Sequence, residues 1–289
     1  MQSAQVWVAG EALIDLLPNG ESKLPVVGGG PANTAKALSN LGFPTSFIGG
    51  ISSDEYGILI EAELSSYGVD LDRALRSELP TAIAEVELIE VGSASYKFKL
   101  ENTATFAFGE WLPEGNPVVI HIGTLATIIE PGASALFEWA RGFSSPIVFD
   151  PNVRSSVLSD REKYRKHFER WAELASVVKL SEEDLSWLGY TVDEILYLGP
   201  EIVVLTRGAK GLSGYRASER IDVDGFEIEV VDTIGAGDTV GAVIVEGLIN
   251  HGELEGDTLK SVLKRAAKAA AITCTRPGAK PPSISELTN

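Results

Sequence analysis

Asp238 closes a Gly235-Ala-Gly237 turn inside the segment Asp232-Thr-Ile-Gly-Ala-Gly-Asp-Thr-Val-Gly241. The β-rich run Phe226-Glu-Ile-Glu-Val-Val231 predicts a strand leading in, and the apolar periodicity of Thr239–Asn250 predicts a helix leading out. Amides at a glycine turn that opens a helix lack intrahelical partners, and the helix dipole adds positive potential, so the turn is an anion site. A carboxylate in that first turn competes with an anion. One arrangement reconciles them: the anion is a phosphoryl group in transfer, and the carboxylate takes the proton of the attacking hydroxyl. A structural glycine turn capped by Asp is the alternative.

Two commoner uses of a glycine turn do not fit. In a dinucleotide fingerprint the third glycine would fall at Val240, and fewer than 60 residues follow the turn. No G-x-x-x-x-G-K-[ST] run occurs, and neither an H-R-D nor a D-F-G set. A second cluster, Val27-Gly-Gly-Gly-Pro-Ala-Asn33, precedes a predicted helix over Pro31–Leu41. Its glycines let backbone approach a ligand, and the Asn33 amide can donate and accept, which suits a hydroxyl-rich ligand. A tight turn with Asn as a local cap is the alternative there.

These segments need a frame. Val6–Gly10, Val118–Ile122, Pro146–Asp150, Ser176–Leu180 and Glu201–Thr206 read as buried strands. Helical runs such as Ser134–Arg141, Arg161–Leu174 and Asp257–Thr273 separate them, which predicts an α/β fold with a mostly parallel sheet and helices on both faces. One stretch departs from this. Ala84, Val86 and Leu88 alternate with Glu85 and Glu87, and Tyr96, Phe98 and Leu100 alternate with Lys97 and Lys99 across a Val91-Gly-Ser93 turn. That predicts an antiparallel hairpin with one apolar face, a flap over a site. The face covers the chain's own site or a second copy's, so a monomer and a lid-mediated homodimer both remain open.

The two glycine signatures, about 200 residues apart and in this order, resemble those of the ribokinase-like (PfkB) carbohydrate kinases along essentially all of residues 1–289. Gly10-Glu-Ala-Leu-Ile-Asp15 and Phe149-Asp-Pro-Asn-Val-Arg154 are most similar to fructokinases and 2-keto-3-deoxygluconate kinases. The resemblance implies a ribokinase-like sheet with a β lid drawn from about 19–28 and 80–104. It also implies ATP as phosphoryl donor, Mg2+, and a small sugar as acceptor. Fructose comes first, then 2-keto-3-deoxygluconate, then ribose or a nucleoside. Asp238 would be the general base, and the amides of Gly235, Ala236 and Gly237 the anion hole. Asp15, Gly29, Asn33, Tyr96, Phe98 and Arg154 would meet the sugar, Arg154 with the phosphates as its other place. Ser181, Thr206, Gly208 and Gly211 would lie along ATP. Asp184 would meet Mg2+ through water, in Ser181-Glu-Glu-Asp184, where the family usually has Asn-x-x-Glu. A monovalent cation such as K+ would sit among Asp232, Ile234, Thr273, Arg276 and Gly278. A non-catalytic sugar sensor on the same fold is the competing class.

Composition agrees with an enzyme acting on small molecules. The balance of 24 Lys and Arg against 41 Asp and Glu gives a net charge of −17, which argues against nucleic acid and anionic membranes as partners. No apolar run approaches a membrane span, and the N-terminal residues carry no basic signal-like region. The lone Cys274 excludes an internal disulfide, and a reducing cytoplasm is expected. His121, His167 and His251 show no metal-ligand spacing.

Overall fold

The computed structural model describes residues 5–288 except 21, 91, 92 and 218, and the side chains of 86–96 lie outside the described set. In chain order the strands are β1 (Val6–Ala9), β2 (Leu13–Asn19), β3 (Ser22–Gly28), β4 (Thr45–Ile48), β5 (Gly50–Ser52), β6 (Leu75–Ser77), β7 (Ile83–Glu90), β8 (Ser93–Lys99), β9 (Val119–Gly123), β10 (Ile147–Asp150), β11 (Val177–Ser181), β12 (Ile202–Thr206), β13 (Leu212–Arg216) and β14 (Glu219–Val223). The helices are α1 (Gly30–Asn40), α2 (Glu55–Ser66), α3 (Gly132–Ala140), α4 (Arg161–Leu174), α5 (Glu182–Leu188), α6 (Val192–Leu198), α7 (Ala236–His251), α8 (Gly256–Cys274) and α9 (Ile284–Thr288).

The central sheet runs β14-β13-β12-β11-β10-β9-β1-β4, parallel from β12 to β4 and antiparallel at β13 and β14. Its parallel strands are apolar on both sides because both faces are covered. Side chains of α1, α7 and α8, including Ala35, Val243 and Leu263, pack with Val8, Val148 and Val204 on one face. Side chains of α3 to α6, including Leu136, Phe168, Leu188 and Ile195, pack with Ile120, Phe149 and Val203 on the other. Strands β9, β10, β11 and β12 and helices α3, α4 and α8 fall within two residues of their sequence-read bounds.

Two expectations change. The flap is a four-stranded sheet, β3-β2-β7-β8, in which the foreseen hairpin β7–β8 is joined by β2 parallel to β7. Ala84 pairs with Phe98, so the apolar positions of the two strands share one face where side chains are described. The run Phe226–Val231 is not a strand: no described strand pairs with it, and Phe226, Val230 and Val231 are exposed. β-Branched residues make a strand only where a partner offers a ladder and a surface to pack on.

The lid is tied to the body at its root. Asp54 caps α2 by accepting from Gly57 N at 2.7 Å, and also accepts from Thr81 N at 2.8 Å and Thr81 Oγ1 at 2.7 Å. Ala82 N donates to Thr105 Oγ1, which donates to Ala12 O. Partial burial works to raise the Asp54 pKa, but the bonds from Thr81 and Gly57 outweigh it and hold the carboxyl below its ordinary value. A depressed folded-state value contributes stability above the unfolded pKa that is lost as pH falls. Asp54→Ala should cost about 1–2 kcal/mol in denaturant unfolding at neutral pH. The gap between variant and parent should close as pH drops below about 4.

Candidate active site

Two cavities meet at the N-terminus of α7. The first, about 510 Å3, lies between the lid and the strand ends and is lined by Asp15, Gly29, Asn33, Phe98, Arg154 and Asp238, among others. The second, about 470 Å3, lies between the β12–β13 loop, the segment 225–230 and α8. Among the described residues, only Thr233 and Gly237 line both. The sequence-read sugar side and nucleotide side are therefore separate spaces that touch at the Gly-Ala-Gly-Asp turn.

Gly235 caps α7 in the left-handed region, φ 79°, and a Cβ there would lie 2.6 Å from Ala279 Cβ, so glycine is required twice over. The turn brings the first amides of α7 to the cavity junction and sets Asp238 beside them. Asp238 is 7% exposed, and its Oδ2 accepts from Asn33 Nδ2 at 2.9 Å. Burial pushes its pKa up, while Lys179 and Asn33 pull it down. A buried, hydrogen-bonded carboxylate with a raised pKa has the chemistry of a general base. Asn33 Oδ1 is buried with no partner, which leaves an acceptor for a ligand hydroxyl.

The glycine cluster lets other parts of the chain approach its backbone closely. Gly29 has φ 104°, and a Cβ on it would lie 2.5 Å from Glu11 O. A Cβ on Gly30 would lie 2.6 Å from Thr124 Cγ2 and 3.2 Å from Asp238 Oδ1. Asp15 sits on lid strand β2, not at a central strand end, and burial raises its pKa to about 6 against the pull of Arg154. Phe98 reaches the cavity from β8. Tyr96 lies on the same strand, and its side chain falls outside the described residues. Arg154 is exposed at the rim, its Nη1 donating to Asn152 O, Asn152 Oδ1 and Val153 O.

Thr206, Gly208 and Gly211 line the second cavity. Gly208 and Gly211 are left-handed, φ 56° and 90°, and a Cβ on Gly211 would meet Val223 O at 2.1 Å. The exposed run from Phe226 to Val230 forms the opposite wall. Ser181 and Asp184 line neither cavity. They form the capping box of α5, and Asp184 also accepts from Val153 N at 2.8 Å. Asp232 braces two loops, accepting from Ile234 N at 3.0 Å and Gly278 N at 2.8 Å. Thr273 shares a bond with Thr239, and Arg276 pairs with Glu286.

Two acidic groups inside the quoted segments, Glu11 and Asp150, and one cation, Lys179, have no role in the sequence reading. Lys179 Nζ pairs with Asp150 Oδ2 at 2.7 Å, with side chains 5% and 1% exposed. Burial opposes the Lys179 charge, but Asp150 and Asp238 outweigh it and raise its pKa. The available signal was a lysine inside a strand otherwise apolar on both faces, since a cation there needs a nearby partner. Glu11, 2% exposed, accepts from Leu125 N at 3.3 Å and Ala126 N at 3.0 Å and lines the first cavity.

A glycine turn opening α7, a buried carboxylate beside it and a β lid over a polar cleft have the arrangement that a phosphoryl-transferring sugar kinase needs. A family model described as "pfkB family carbohydrate kinase" matches residues 5–286, and the chain belongs to that family. It is 36% identical over 260 residues to a fructokinase of Rhizobium leguminosarum bv. trifolii, covering 84% of this chain and 79% of that one. It is 31% identical over 303 residues to a fructokinase of Escherichia coli, covering 96% and 95%. Among solved structures, fructokinase with bound ATP from Xylella fastidiosa superposes with a TM-score of 0.91 at 26% identity, covering 99% and 97%. Fructokinase from Vibrio cholerae O395 in its fructose, ADP and calcium ion bound form gives 0.87 at 28%, covering 99% and 98%.

Burial raises the Glu11 pKa to about 7, against the Leu125 and Ala126 amides and Arg154. A raised folded-state value means the folded chain binds more protons, so this contribution to stability is lost as pH rises from about 4.5 to about 7. Melting temperature should therefore fall across that window more steeply in the parent than in Glu11→Gln. Parallel pH profiles for the two would overturn the assignment.

Proposed function

We propose that this carbohydrate kinase is a fructokinase, transferring the γ-phosphoryl group of ATP to the primary 6-hydroxyl of fructose, with residues 1–289 acting as one kinase unit. The observation that carries the reading is Asp238, a buried carboxylate that lines the first cavity next in sequence to Gly237, which lines both. The acceptor hydroxyl enters from the lid side and gives its proton to Asp238. The γ-phosphorus forms its new bond to that oxygen, and the bridging oxygen leaves with ADP. Amides of Gly235, Ala236 and Gly237 meet the charge on the transferring oxygens. Asp15, Gly29 and Asn33 hold sugar hydroxyls, Phe98 and Tyr96 cover them, and Arg154 stands at the rim. A neutral polyol suits this cleft better than a sugar acid, because Glu11, Asp15 and Asp238 line it against only Arg154 and Lys179.

ATP would lie along Thr206, Gly208 and Gly211, with Ser181 behind, and with its base against the wall from Phe226 to Val230. Mg2+ would neutralise the phosphates. Asp184 would reach it through water from Oδ1, which accepts one bond, from Val153 N, and keeps a lone pair, whereas Oδ2 accepts two bonds from Ser181. Asp232, with the backbone of Ile234, Thr273, Arg276 and Gly278, would hold a monovalent cation, a fit supported by the two amides that fix Asp232 between those loops. Among the described residues no helix is long and apolar enough to cross a membrane, and we place the enzyme in the cytoplasm with its substrates.

Asp238→Asn should lower kcat by about 10^2–10^4-fold while calorimetry still detects ATP and sugar binding. Unchanged turnover in that variant would remove the base. A coupled ADP-release assay over fructose, 2-keto-3-deoxygluconate, ribose and nucleosides should give fructose the highest kcat/KM. Another winner reassigns the substrate, and sugar binding with no ADP formed from any of them makes the chain a sensor.

A further inference from the structure

The buried ion pair beside Asp238 is a second charged element at the junction, and it rests on the kinase reading above. Its position is set by three facts. Lys179 lines the sugar-side cavity. A Cβ on Gly237 would meet Lys179 Nζ at 3.0 Å. Gly237 is one of the two residues lining both cavities. Glycine at 237 therefore lets the ammonium group come close to the first turn of α7, at a residue that lines both cavities.

A lysine shielded this deeply would ordinarily be costly. Asp150, at the C-terminal end of β10 and 1% exposed, holds its Nζ by a 2.7 Å bond and occupies one of three ammonium protons. No other hydrogen bond of Lys179 Nζ is found among the described residues. The remaining protons can face an incoming anion. Lys179 is also the only buried cation that lines the sugar-side cavity among the described residues, Arg154 being exposed at its rim.

We propose that Lys179 is a catalytic residue that contacts the γ-phosphoryl group during transfer, and that Asp150 is the positioning residue that holds its ammonium group at the junction. As the bridging P–O bond breaks toward ADP and the acceptor oxygen bonds to phosphorus, Lys179 stays protonated and donates to a non-bridging oxygen. The acceptor proton goes to Asp238. Asp150 takes no proton; its charge keeps Lys179 ionised and oriented. A cation fixed before the substrate arrives needs no reorganisation as charge shifts, which is the condition under which such contacts favour the transition state most.

The distinguishing readout is discrimination between ATP and ADP, because only ATP carries the γ-group. Lys179→Met should lower the ratio of ATP to ADP affinity, measured by calorimetry, by about tenfold or more. It should also lower kcat by about 10^2-fold or more with little change in the KM for sugar. Because the single change strands Asp150 in the interior, Lys179→Met combined with Asp150→Asn provides a variant without the orphaned charge, and the same losses are expected of it. Asp150→Asn alone should lower kcat and retain ATP binding. A lysine that serves only to neutralise its neighbours would lower the melting temperature and leave both the affinity ratio and kcat within about threefold of the parent, and that result overturns the proposal. If the parent phosphorylates no sugar, the functional reading fails, and the affinity ratio still decides whether Lys179 meets the γ-group.

Discussion

A negative charge buried at the positive end of a helix is the constraint from which this structure is best understood. Asp238 has been taken out of water, and burial alone would neutralise it. The ammonium of Lys179 and the amide of Asn33 lead the groups that keep its charge within reach, and its place in the first turn of α7 favours a negative charge. Each comes from a different part of the chain. Asn33 depends on α1, which starts at the Gly28-Gly-Gly30 approach. Lys179 depends on β11 and on Asp150 of the neighbouring strand β10. The turn depends on Gly235, pressed against Ala279. The parallel sheet brings these together at its carboxyl edge, where open α/β folds commonly place their ligands.

Much of this was legible in the chain, for physical reasons. A glycine that must be left-handed, followed by an acid and an apolar helix, leaves few local alternatives, and α7 begins at Ala236, three residues before the periodicity alone placed it. Short apolar runs of five or six residues between amphipathic helices became the parallel strands β9 to β12. The alternation of Ala84 and Phe98 against charged neighbours became the register of the lid hairpin.

What was not legible depended on partners distant in sequence. Strand β2 carries Leu13-Ile-Asp-Leu-Leu17, whose pattern does not say whether it extends the central sheet or leaves it; pairing with β7, some 70 residues away, decides that. The same decision places Asp15 on the lid. Phe226–Val231 has the composition of a strand and finds no ladder, so its apolar side chains remain as a cavity wall. Lys179 and Glu11 belong to no glycine motif, and each acquires meaning from what folding sets against it, Asp150 in one case and two amides in the other.

The lid carries Asp15 and Phe98, whereas Asn33 and Asp238 belong to the body. A sugar bound in the cleft would touch both at once. Such a ligand behaves as a removable cross-link between two sheets whose covalent connections enter only at the lid's root. On the proposed reading grip and release would be one variable: each hydroxyl contact that held the acceptor against Asp238 would also hold the cover down. Tightening the hold on the sugar through Asp15 would therefore be expected to slow departure of the phosphorylated product, which sets an upper limit on how closely such a lid can usefully embrace its substrate.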